Sequence, residues 1–190
     1  DPVKLPDIVV DPAAGVGDYD TIQEALNNAT DGDRVEVRPG TYDSSVDDEI
    51  DVFDNVTLAF DVGVTLENND GGGPAAIILN EDSDPIAATI VGGTITGYEV
   101  GIDATGVDGN WTVRETTIEP GESGIAVDTA DSTGNWTVEN VVTDGGTHGI
   151  VTTGATGDWT VRETELRNHV ESAVVTAESS GNWILRDTVV

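Results

Sequence analysis

The chain has no cysteine and, with seven basic residues against 37 acidic ones, very little positive charge. Without thiols, a disulfide framework and a thiolate metal site are both excluded, and redox chemistry says nothing about compartment. Lys4 is the single lysine. The formal charge of −30 is dense enough that like-charge repulsion opposes a compact state unless salt screens it, so a halophilic source is expected. The acids are scattered over the whole chain, which describes a solvated anionic coat more than a local binding patch. Such a surface repels nucleic acid and anionic membranes. No apolar run approaches the ~18 residues of a membrane span, so no membrane insertion is expected. The first residue is Asp1, not Met, which suits a processed product and permits secretion. Asn28, Asn55, Asn110 and Asn135 each begin an Asn-x-Thr triplet, the acceptor pattern for N-glycosylation, and fit an extracellular or cell-surface protein.

Against these absences stands a repeat. Gly109-Asn-Trp-Thr-Val-Arg-Glu-Thr116, Gly134-Asn-Trp-Thr-Val-Glu-Asn-Val141, Gly157-Asp-Trp-Thr-Val-Arg-Glu-Thr164 and Gly181-Asn-Trp-Ile-Leu-Arg-Asp-Thr188 are copies of one unit, with tryptophans 25, 23 and 24 residues apart. Between them a second phrase recurs as Gly101-Ile102, Gly124-Ile125, Gly149-Ile150 and Ala173-Val174. Short β-branched runs broken by Gly, Asp, Asn and Ser read as strands and turns. One such unit cannot bury its own apolar face, so the units must stack. Stacking in register aligns Val113, Val138, Val161 and Leu185 into an inward column. The stretches around Val56–Leu58, Ile77–Leu79 and Ala88–Ile90 continue the pattern less regularly.

The N-terminal third differs. Ile22, Ala25, Leu26 and Ala29 fall on one helical face within Thr21–Ala29, predicting a short amphipathic helix that covers the open edge of the first coil. Gly32-Asp33 reads as a turn, Arg34–Arg38 as an alternating strand and Pro39–Tyr42 as a second turn. The phrase Tyr19-Asp-Thr-Ile-Gln-Glu-Ala-Leu26, followed by Gly32-Asp-Arg-Val-Glu-Val-Arg-Pro-Gly-Thr-Tyr42, resembles the N-terminal cap and first strand of the pectin-lyase-like superfamily. That resemblance implies an all-β fold, a right-handed parallel β-helix (solenoid) with a short N-terminal capping helix and three short sheets. One domain over 1–190 is expected, with an extension and cap over 1–31 and stacked coils over 32–190. The resemblance does not imply an activity, because the superfamily holds lyases, hydrolases, esterases and surface proteins alike.

Candidate sites follow from the columns. Trp111, Trp136, Trp159 and Trp183 point inward as a core ladder if strand alternation runs back from Val113. If the Gly-Asn turn rotates them outward, they become a carbohydrate-binding platform for sugar rings. Arg114, Arg162 and Arg186 share a column interrupted by Glu139, read as an ion-pair ladder. His148, in Gly145-Gly-Thr-His-Gly-Ile-Val151, faintly resembles the Gly-His-Gly segment of polygalacturonases, but Val100, Ser123 and Ser172 precede the matching phrase elsewhere. No pair of carboxyls stands out as a glycosidase would require, so no catalytic residue is assigned. Asp47-Asp48-Glu49-Asp51 and Asp82-Ser83-Asp84 suit calcium in donor type but not in spacing. No cofactor is expected beyond calcium or structural salt ions. The functional expectation is a non-catalytic extracellular or cell-surface module, structural or contacting a polysaccharide or cell-envelope glycan. The alternatives are a polysaccharide lyase or glycoside hydrolase, and a subunit of a head-to-tail filament. The filament reading rests on Trp183–Val190, which lacks a polar cap: either the chain continues past Val190, or self-association covers the last coil, with Asp7–Val10 of another copy added as a strand.

Overall fold

The computed structural model describes residues 7–47, 49–53, 55–69, 74–79 and 86–190. Its strands form three sheets in which every pairing is parallel, and the chain visits the sheets in turn, so that it winds as a parallel β-solenoid. The longest sheet has eight strands: Ile8–Val10, Arg34–Val37, Thr57–Phe60, Thr89–Val91, Trp111–Arg114, Trp136–Glu139, Trp159–Arg162 and Trp183–Arg186. A second sheet of six strands follows it in each coil, running from Gly40–Asp43 to Glu165–Arg167. A third, also of six, runs from Ile50–Val52 to Ser172–Val175.

Each strand carries an inward and an outward set because side chains alternate across it. On the long sheet Leu58, Ile90, Val113, Val138 and Val161 face in and are buried, while the flanking threonines and arginines face out. The corner from the long sheet to the second is built the same way in successive coils. Glu115, Asn140, Glu163 and Asp187 take left-handed backbone conformations, with φ of 59°, 52°, 53° and 51°. That conformation turns the next residue inward, and the hydroxyls of Thr116 and Thr164 are satisfied by donating to the carbonyls of Arg114 and Arg162, at 3.0 and 2.8 Å.

The glycine that opens each repeat has a packing cause. A Cβ on Gly134 would run into the backbone carbonyl of Gly109, and one on Gly157 into that of Gly134. At this entry to the long sheet, successive coils approach so closely that only the smallest residue fits.

The predicted cap forms, but it is shorter than the periodicity suggested. The helix spans Ile22–Leu26, with Thr21 as its N-cap accepting from the Glu24 N–H at 3.2 Å. Ile22, Ala25, Leu26 and Ala29 are all buried, as the helical face required. Pro39–Tyr42 is not simply a turn: Gly40–Asp43 is the first strand of the second sheet, pinned by buried Tyr42, whose hydroxyl donates to the Arg38 carbonyl at 3.0 Å. The Gly124-Ile125 phrase is also out of step. Ile125 pairs with Val100 and His148, so the true equivalents of His148 are Val100, Ile125 and Ser172, and Ser123 lies in the preceding turn. A slip of two residues preserves the inward and outward alternation, which is why the sequence pattern conceals it.

At the far end Trp183, Ile184, Leu185, Val189 and Val190 are exposed. The segment Ile8–Val10, suggested above as a strand lent to another copy, pairs within the chain, Ile8 to Val35 and Val10 to Val37.

Candidate functional site

The outer face of the long sheet carries two continuous columns. In the first, Arg34, Thr57, Thr89, Thr112, Thr137 and Thr160 stand in register, one per coil. All five threonines are half-buried. In the second, two positions along each strand, Glu36, Ala59, Val91, Arg114, Glu139, Arg162 and Arg186 are aligned. Coils stack at ~4.8 Å, so each column is a row of chemically defined points at that interval.

Between the columns runs an open groove of about 520 Å³, lined by Arg34, the threonines from Thr57 to Thr137, Arg114, Glu139 and Arg162. A second depression of about 310 Å³ shares Thr137 and continues past Thr160 to Ile184 along the Asn135, Asp158 and Asn182 turn. The sheet backbone holds these side chains rigidly, and β-branched threonine has few rotamers to lose.

The electrostatics of this face differ from the rest of the surface. Four of the six arginines, Arg34, Arg114, Arg162 and Arg186, lie on it in a chain of charge −30. Arg162 Nη2 donates to Glu139 Oε2 at 2.8 Å, both side chains about one-third exposed. The ladder expected from the sequence stops there: Arg114 donates instead to its neighbour Glu115 at 2.9 Å, and Arg186 pairs with Asp187 at 3.4 Å. Those two pairs are exposed and contribute little to stability.

The tryptophans take the inward alternative. Trp111, Trp136 and Trp159 are at most 3% exposed, and the four rings stack with centroids 5.1 to 5.4 Å apart and planes within 12° of parallel. The three buried rings therefore lie inside the coil and offer no face to a sugar. Trp183, 56% exposed, keeps one outer face. The Nε1 atoms of Trp111, Trp136 and Trp159 have no hydrogen-bond partner.

The third sheet carries its own polar cluster. Asp103 pairs in register with Asp128, and His148 Nε2 lies 3.5 Å from Glu171. Burial pushes the Asp128 carboxyl up, helped by the Asp103 and Asp131 charges and opposed by the Ala130 N–H and by His148. His169 approaches Gly149 from the turn, its Nε2 2.8 Å from the hydroxyl of buried Thr143. Burial holds its imidazole below the ordinary value, opposed by the Gly145 carbonyl and Asp144.

The remaining sequence candidates scatter. Asp47 is buried and caps the helix, Oδ1 accepting from the Ile22 and Gln23 N–H groups at 3.0 and 3.1 Å, a structural duty in place of a calcium ligand. Asp48 and Asp82-Ser83-Asp84 lie outside the described residues. Asn110 and Asn135 form an exposed ladder in which each Oδ1 accepts the backbone N–H one coil on, from Asn135 at 3.1 Å and Asp158 at 2.8 Å. Asn28 donates through Nδ2 to the Glu24 carbonyl at 2.9 Å, and Asn55 Oδ1 accepts from the Ala87 N–H. The threonine column escaped the sequence reading, although its signal was present: a threonine stands immediately before each of the inward residues Leu58, Ile90, Val113, Val138 and Val161. Among the described residues no group of three or more His, Asp or Glu side chains is placed to hold a metal ion. The chain has neither cysteine nor methionine, so it offers no sulfur ligand, and its imidazole ligands are limited to two histidines.

No curated protein and no solved structure matches the chain. One family model does, over residues 26–190, and its description is periplasmic copper-binding protein (NosD). This corrects the expectation that nothing beyond calcium or salt ions is bound, since the family is described by its copper, a metal that composition had given no reason to name. With its parallel coils, its capping helix and a family match over most of its length, the chain belongs to the NosD family of periplasmic copper-binding proteins, which has the pectin-lyase-like right-handed parallel β-helix fold.

Proposed function

We propose that the protein is a non-catalytic, extracytoplasmic binding module that holds a glycan lengthwise on the outer face of its long sheet. The observation that carries this reading is the column Thr57, Thr89, Thr112, Thr137 and Thr160, one hydroxyl per coil, the first four along the groove and Thr160 in the depression that shares Thr137 with it. A hydroxyl both donates and accepts, so a row of them matches the hydroxyls of a sugar chain whichever way these point. The family's description as periplasmic supports an exported setting. Of the tryptophans, only Trp183 retains an open ring face for the same ligand.

Hydrolysis and elimination are less well supported. Hydrolysis of a glycosidic bond needs two carboxyls across it, and among the described residues the groove is lined by one, Glu139, already paired with Arg162. The copper in the family's description does not fit the described side chains: a stable copper site draws on several imidazole or sulfur ligands, and no three-ligand group is formed.

The test is a glycan-array screen in molar salt with the wild-type protein and a Thr112→Val, Thr137→Val double variant, which keeps shape and removes two hydroxyls. Binding by the wild type that falls about tenfold or more in the variant, at unchanged melting midpoint, is the expected result. A folded wild type that binds no glycan rejects the reading.

A further inference from the structure

We infer that the ligand is an alternating acidic polysaccharide, with an anionic sugar at every second position, and that Glu139 sets the alternation. This rests on the glycan reading above and deepens it. Within the groove the second outward column runs Arg114, Glu139, Arg162 in strict register, beside Thr112, Thr137 and Thr160; Arg186, the next member, lies past the groove's lining and is paired with Asp187. The two arginines are two coils apart, ~9.6 Å, with a carboxylate midway. Among the described residues lining the groove Glu139 is the one acid, and it is held in place by Arg162 Nη2 at 2.8 Å.

An extended sugar chain lying along the solenoid advances by about one sugar per coil, so successive sugars meet Arg114, Glu139 and Arg162 in turn. An anionic group over Arg114 forms a charge-assisted hydrogen bond, and displaces only the exposed Glu115. The next sugar faces the Glu139 carboxylate. A second anion there is repelled, whereas a neutral sugar donates a hydroxyl to it. The third sugar reaches Arg162, whose guanidinium has five N–H donors and so can keep Glu139 while binding an anion. A homopolymer charged at every sugar sets one anion in two against Glu139. A neutral polymer meets the threonines but gains nothing from the arginines. Charge complementarity also explains why four arginines gather on this face of a chain whose net charge is −30: they make a local landing strip for sparse negative charge within a surface that repels dense polyanions.

The experiment titrates the full chain, at fixed salt, with three oligosaccharides of equal length: hyaluronan (uronic acid alternating with a neutral amino sugar), oligogalacturonate (charged at every unit) and neutral dextran. Wild type, Glu139→Gln and Arg162→Gln are compared, with a thermal melt of each. The wild type should favour hyaluronan over oligogalacturonate by about fivefold. Glu139→Gln should tighten oligogalacturonate about three- to tenfold and erase that preference, while Arg162→Gln should bring hyaluronan down toward dextran. Wild-type binding that does not distinguish acidic from neutral chains, or a preference unchanged in Glu139→Gln, overturns the inference and leaves the glycan reading standing. No binding of any of the three by wild type or variants overturns both.

Discussion

The indole rings of Trp136 and Trp159 lie 1° from parallel with centroids 5.1 Å apart, although 23 residues separate them in the chain. Register explains this: the two residues are direct partners on neighbouring strands, and the centroid spacing is close to the ~4.8 Å strand interval. Trp136 is the ring with a neighbour on each face within the best-buried part of the ladder. Its replacement by alanine should cost about 3 to 5 kcal/mol, as for other buried aromatic truncations. Trp183→Ala, at the exposed end, should cost much less. Urea unfolding of both variants checks the order, and equal losses would contradict the core role.

Gly134 allows the coils to close on one another. Because an added Cβ would strike the Gly109 carbonyl, Gly134→Ala should destabilise by about 1 to 3 kcal/mol or more, by overpacking against backbone that cannot yield cheaply. A midpoint within error of wild type would show that the spacing relaxes freely.

Stability should rise with salt. The charge of −30 is spread over the coat, and raising ionic strength from about 0.1 M to about 1 M shortens the screening length from about 10 to about 3 Å. Thermal melts in a sodium chloride series should show a steadily rising midpoint, and a flat series would remove repulsion as a term that matters here.

Acid should weaken the fold through His169. Burial holds this imidazole below its unfolded value of 6.5, so the folded state prefers it neutral. The stability it contributes is complete above pH 6.5 and is lost as pH falls below that value, where the unfolded chain takes up the proton first. His169→Gln should reduce the slope of stability against pH as pH falls below about 6.5. It should also preserve a polar partner for the Thr143 hydroxyl. An unchanged slope would show that other groups govern that range.

The repeat was legible because coil stacking demands the same residue at the same place every turn. The Gly-Asn-Trp-Thr-Val-Arg phrase holds, in order, the glycine of the close approach, the ladder asparagine, a stacked ring, an outward hydroxyl, a core valine and an outward cation. The binding face was harder to read. Its threonines sit within the same phrase as the tryptophans, whose size drew attention first, and its N-terminal members Arg34, Thr57 and Thr89 belong to coils where the phrase has decayed. The family's copper lay beyond sequence reasoning from composition, since two histidines and no cysteine give no ligand pattern to recognise.

Period, strand alternation and anionic character were determined by the sequence alone, because each is a local or summed property: a strand faces alternate ways, a coil returns after about 24 residues, and charges add. Only the tertiary structure decided which coil-to-coil register applies, and with it that Ile125 rather than Ser123 stands beside His148, that Arg162 and not Arg114 holds Glu139, and that three tryptophans lie inside. These depend on how far each turn bulges before its strand begins. That is settled by backbone hydrogen bonds between residues some 23 to 25 positions apart, and an alternation of period two looks the same after a slip of two residues.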